Sequence, residues 1–135
     1  MHRNPDRPLS PHLTIWKWGP HMLVSILHRV TGAGVALAGG ALLVWWLMAA
    51  AEGPDSYATF AAWTNWVTWP WALIVWIPLT WGLFQHTLSG LRHLVMDVGA
   101  GYELSANKFW ANMTIIGSTL LTLALWAWII WGRGA

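Results

Sequence analysis

Four residues in the second half of the chain have the types and spacing for chemistry: His86, Gly90, His93 and Asp97, at i, i+4, i+7 and i+11. On a helix, at about 100° per residue, they fall within roughly 60° of arc and form one stripe. His86 lies about 16 Å further along the axis than Asp97. An earlier set, Ser25, His28 and Arg29 followed by Gly32, places a hydroxyl and a guanidinium at i, i+4 on one face. That pair suits a carbonyl or carboxylate ligand. Arg92 stands roughly 120° off the stripe, where a cation equally suits snorkelling to water or an anionic lipid head group.

The elements that must hold these residues follow from composition. The chain has 135 residues, seven Lys and Arg, five Asp and Glu, 14 Trp and no Cys. Charged residues make up 9%, against about 25% in a soluble domain, and 56% of residues are apolar. So few charges cannot cover a water-exposed surface, which points to a membrane protein. Without Cys, this chain has no disulfide, iron–sulfur or thiolate–zinc site. A net charge of +2, spread along the chain, excludes a nucleic-acid surface.

Three stretches are apolar and long enough to cross a bilayer, which takes about 20 residues each. They cover about 22–51, 71–97 and 113–131, after an N-terminal arm, 1–21, whose prolines and charge read as cytoplasmic rather than as a signal peptide. Residues 22–135 then form one all-α domain. Arg3, Arg7, Lys17 and Arg29 precede or open the first span, and Arg92 and Lys108 flank the second connection. The Glu52–Trp69 connection has no Lys or Arg, so the N-terminus is expected inside. Trp45, Trp46, Trp63, Trp66, Trp69, Trp71, Trp126, Trp128 and Trp131 gather at the outer end, as an interfacial belt does. Tyr57, Phe60, Trp63 and Trp66 suit a short helix lying in that interface. Gly32, Ala36 and Gly40 offer a small-residue face for close helix approach, and Gly117, Ser118 and Thr122 suit packing in the third span.

In this frame His86 lies deep in the hydrocarbon and needs a partner. Two readings stand: a neutral His bonded to a neighbouring helix, or a ligand. The second has the layout of a b-type haem site, with an axial imidazole, space beside Gly90, and His28, Arg29 or His93 for the propionates nearer water. One deep His supplies one axial ligand, so a second would come from another chain. A proton relay along His86, His93 and Asp97 would stop halfway, since Leu73–Gly82 has no ionisable group. Lys17 and Lys108 lie outside the spans, which excludes a retinal Schiff base.

Three motifs carry a resemblance: Arg7-Pro8-Leu9-Ser10-Pro11-His12-Leu13, Ser25-Ile26-Leu27-His28-Arg29-Val30-Thr31-Gly32, and His86-x-x-x-Gly90-x-Arg92-His93-x-x-x-Asp97. Over about Arg7–Tyr102 the chain resembles the cytochrome b556 subunits of succinate dehydrogenase, the larger membrane anchors of respiratory complex II. The resemblance implies three transmembrane helices forming half of a heterodimeric haem-binding bundle. It implies His86 as axial ligand of one haem b shared with a companion anchor, and His28, Arg29 and His93 near the propionates. It implies Ser25, Arg29, Trp18 and Asp97 at a quinone head group. It implies a flavoprotein subunit carrying FAD, an iron–sulfur subunit and a second anchor as partners, so succinate oxidation itself would occur elsewhere. The setting implied is a bacterial inner membrane, with the N-terminus cytoplasmic. The anchor of a quinol:fumarate reductase, or a haemless structural or proton-conducting subunit, is the alternative.

Overall fold

The structure, a computed structural model, describes Asp6 and residues 17–65, 67 and 70–132, the side chain of Trp71 excepted. The motif from Arg7 to Leu13, and Arg3, Trp66, Trp69 and Arg133, lie outside the described residues. Helix α1 (Pro20–Gly34), one π turn (Val35–Gly39) and α2 (Gly40–Glu52) run as one continuous helix of 33 residues. Pro20 suits its first turn, because the N–H that proline lacks would have no intrahelical acceptor there. Gly53 ends it at φ 111°, a conformation strained for any side chain, and Pro54 opens α3 (Pro54–Thr64). The short helix expected after the first span is α3. It turns back on α2, where Trp45 and Phe60 meet edge to face at 5.0 Å.

A 3-10 turn (Pro70–Ala72) leads into α4 (Leu73–Asp97), which carries Pro78 in its interior. Trp76 Nε1–H donates to the Thr64 carbonyl at 3.0 Å and so ties α4 to the end of α3. Gly99 and Gly101, at φ 86° and 75°, make the tight connection to α5 (Leu104–Trp131).

Neighbouring helices are antiparallel. Along α1 and α4, His28 meets Ser89, Gly32 meets His86 and Gly39 meets Leu79, so numbers rise on one helix as they fall on the other. Along α4 and α5, Arg92 meets Asn107, Gln85 meets Thr114 and Ser118, and Trp81 meets Thr119. Helix α4 therefore packs on both of the others, and α1 and α5 also touch each other.

Polarity is inverted relative to a water-soluble bundle. The buried hydrophobic side chains among the described residues are Val24, Ala49, Ala72 and Ala111, whereas Thr31, Gln85, Ser89, Thr114, Ser118 and Thr122 are buried and polar. Leu37, Ile74, Leu120, Trp128 and many other large apolar side chains face outward. Small residues and hydrogen-bonding side chains between helices, with apolar ones outside, suit a lipid solvent. Two helices, Pro20–Glu52 and Leu104–Trp131, are long and apolar enough to cross a membrane. Helix α4 has 25 residues, and its apolar character is diluted by the histidines, Arg92 and Gln85.

The helix that carries the third expected span begins at Leu104, ahead of Met113. Its 28 residues span about 42 Å, beyond the ~30 Å hydrocarbon core, so its first turns can carry Asn107, Lys108 and Asn112. The small-residue face expected at Gly32, Ala36 and Gly40 is only partly used: Ala36 is exposed and a methyl on Gly40 would meet nothing within 4 Å. The line facing α4 is Thr31, Val35 and Gly39, because i→i+5 bonding in the π turn keeps steps of four in register.

Candidate functional site

Helices α1 and α4 bring three of the expected histidines together. The His28 and His86 rings stack face to face, with centroids 4.0 Å apart and planes 11° from parallel. His93, two turns along α4 from His86, lies with its ring 4.9 Å from that of His28. The close approach depends on Gly32: a Cβ there would stand 2.8 Å from His86 Cε1. Gly90 was expected to leave room for something flat, and the His28 ring lies there, 3.6 Å from where its Cβ would be.

Hydrogen bonds fix the roles of the ring nitrogens. His86 Nδ1 lies 3.1 Å from the backbone oxygen of His28, which can only accept, so the proton is on Nδ1. The in-plane lone pair of Nε2 is then left for another ligand, and the stack covers only the ring face. His28 Nδ1 contacts Ser89 Oγ at 2.6 Å, while Ser89 Oγ–H reaches the His86 carbonyl at 3.2 Å. The one Ser89 hydroxyl thus links the His28 ring to the main chain at His86. Sequence reasoning did not single out Ser89, which is fully buried three residues after His86. The signal was its place one turn from His86, on the α1-facing side.

Behind the histidines a polar seam holds α4 against α5. Gln85, fully buried, accepts from Ser118 Oγ at 2.7 Å and donates to Thr114 Oγ1 at 3.4 Å. Gly117 packs against Leu88, where a Cβ would stand 3.0 Å from a methyl group. Ser118 and Gly117 thus serve the packing role expected of them, and Thr122 is buried beside them.

The remaining site candidates lie at the end of the bundle where α1 starts and α4 stops. From the register of His28 on Ser89, Ser25 is level with the turn holding His93, and Asp97 is one turn beyond. Ser25 is half-buried, while Arg29 and Asp97 are exposed, and no side-chain hydrogen bond or ion pair joins these three. Trp18 stands just before α1, 63% exposed. Arg92 points elsewhere, toward Asn107 on α5.

The histidine geometry fits one axial position of a haem: a proton-fixed imidazole, its free nitrogen in the ring plane, held by a backbone carbonyl on the facing helix. Among the described residues no three His, Asp or Glu side chains converge on a bare metal ion.

An antiparallel helical bundle with an apolar exterior and a histidine cluster between two of its helices defines a membrane protein with an interhelical imidazole site. The chain belongs to the succinate dehydrogenase/fumarate reductase transmembrane subunit family, whose model matches residues 3–125. It is 36% identical over 119 residues to the succinate dehydrogenase cytochrome b556 subunit of Paracoccus denitrificans, covering 87% of this chain and 88% of that one. It is 33% identical over 120 residues to the cytochrome b556 subunit of Rickettsia felis, covering 89% and 90%. To the mitochondrial cytochrome b560 subunit of Mus musculus it is 38% identical over 101 residues, covering 73% of this chain and 57% of that one. The resemblance carried by the sequence motifs is borne out.

Proposed function

We propose that this chain is the haem-ligating membrane anchor of a succinate:quinone oxidoreductase. The observation that carries the reading is the His86 imidazole, fixed as the Nδ1–H tautomer by the His28 carbonyl in a membrane helix pair. His86 Nε2 would hold the iron of a haem b, shared with a companion anchor subunit. His28, Arg29 and His93 would neutralise its propionates. When bound, the haem supplies a one-electron redox centre.

The quinone site would form at the end of the bundle shared by Ser25, Arg29, Asp97 and Trp18. Ser25 Oγ–H donates to a quinone carbonyl there. Arg29, whose guanidinium has no ion-pair partner among the described residues, stabilises negative charge developing on the substrate oxygen. Asp97, one turn beyond His93, would pass a proton from water toward that oxygen. Trp18 walls the head group. Succinate oxidation belongs to a flavoprotein subunit and electron relay to an iron–sulfur subunit, both docked on this face.

In this reading α4 is the third span: it is about 37 Å long and packs antiparallel on two helices that are themselves long enough to cross. The end where α1 starts, rich in basic residues, then faces the cytoplasm across a bacterial inner membrane.

The test is purification of the full chain from membranes in a mild detergent, with identification of co-purifying subunits and a pyridine haemochrome assay. A red preparation with flavin-bearing and iron–sulfur companions and succinate–quinone activity is expected. A colourless preparation without a flavin-bearing companion overturns the reading.

A further inference from the structure

Between the last turns of α4 and the first turns of α5 lies a groove of about 360 Å³ on the side of α4 that faces α5, away from the histidines. Leu88, Leu91, Val95 and Met96 line it from α4, and Trp110 and Met113 from α5. Arg92 lines it as well. The guanidinium bonds the neutral Asn107 amide oxygen, its Nε is buried without a partner, and no carboxylate pairs with it among the described residues. Asn107 is committed on its other side to Met96 Sδ, at 3.7 Å. A half-buried cation is ordinarily paired. Here the charge lacks its anion, and the space beside it is apolar.

We infer that this groove seats one anionic diacyl phospholipid, its phosphate on Arg92 and an acyl chain along Leu88, Leu91 and Met113. Charge complementarity selects the head group, and the apolar walls select an anion that carries hydrocarbon over a free one. Arg92 stands near the end of a membrane helix, the depth at which a head group lies. The site is separate from the histidine cluster, so its occupancy does not depend on the haem or quinone reading.

The experiment uses the full chain in the assembly it forms in the membrane, reconstituted with phosphatidylglycerol and washed with phosphatidylcholine in detergent. Retained lipid is counted by native mass spectrometry. Wild type is expected to keep one phosphatidylglycerol per copy, and Arg92→Gln to lower that occupancy at least tenfold. Leu91→Trp, which fills the groove and leaves the charge, is expected to lose the lipid too. Loss in Arg92→Gln with full retention in Leu91→Trp overturns the groove as the seat. Retention in both variants, or free exchange of phosphatidylglycerol for phosphatidylcholine by wild type, overturns the proposal. If Arg92→Gln fails to assemble, the wild-type exchange decides. A photocrosslinker in place of Leu91 is expected to label phospholipid; an adduct with a second polypeptide or with quinone overturns the assignment.

Discussion

The Nδ1 of His86 is held by the backbone oxygen of His28, so one histidine's tautomer is set by the main chain of the helix that carries the other. The His28 side chain is then a stacking and Ser89-binding group, separable from the carbonyl. Replacing it leaves the acceptor in place.

His86→Ala is expected to abolish the reduced b-type absorption band of the purified assembly. His28→Ala should keep the band, because the carbonyl that orients His86 survives, while shifting its position or midpoint potential through loss of the stacked ring. Difference spectra and a redox titration check both. An unchanged spectrum in His86→Ala moves the ligand elsewhere.

Arg29→Leu is expected to lower succinate–quinone reductase activity by about 10²-fold, the scale of losing one charge-stabilising donor. Succinate oxidation with a soluble dye should be spared. Equal loss of both activities would make the residue structural.

Two glycines two residues apart on α1 should respond in opposite ways. In Gly32→Ala the new methyl stands 2.8 Å from His86 Cε1, so the ring or the helix must move. Loss or broadening of the haem band and a lower melting temperature are expected. In Gly34→Ala the methyl meets nothing within 4 Å, and removing a helix glycine contributes about 1 kcal/mol. That variant should be neutral or stabilised, with wild-type spectra.

The seam between α4 and α5 gives a stability prediction. Gln85→Leu removes both of its bonds to α5, at a cost of about 0.6–1.7 kcal/mol for an interhelical hydrogen bond in a membrane. Ser118 keeps its bond to the Ile115 carbonyl at 2.9 Å, so the hydroxyl is not stranded. The double variant Gln85→Leu/Ser118→Ala should therefore fall short of the sum of the singles in thermal denaturation in detergent.

Much of the site was legible because its residues repeat at helical spacing on two segments whose ends must be level. The stripe of His86, Gly90 and His93 and the cluster of Ser25, His28 and Arg29 needed only the helix period and an antiparallel pairing to be set side by side. Ser89 and Gln85 were hidden because a serine and a glutamine in a membrane helix have no periodic signature; their roles depend on which neighbour they meet. The π turn was invisible for the same kind of reason. The small residues around it suggested a regular four-residue face, and only contact with Leu79 and Gly82 selects the line through Val35 and Gly39.

That turn has a consequence for how the first long helix is built. Its five residues separate a segment that docks on α4 from one that packs mainly on α3. Removing a single residue within it, such as the outward-facing Leu37, would restore ordinary winding. The π turn already absorbs that residue by advancing about 90° per residue instead of about 100°, so the distal half, with Trp45 and Trp46, would keep nearly its present azimuth. One surplus amino acid is thus taken up as a local widening of the coil, and neither end is turned away from its neighbour.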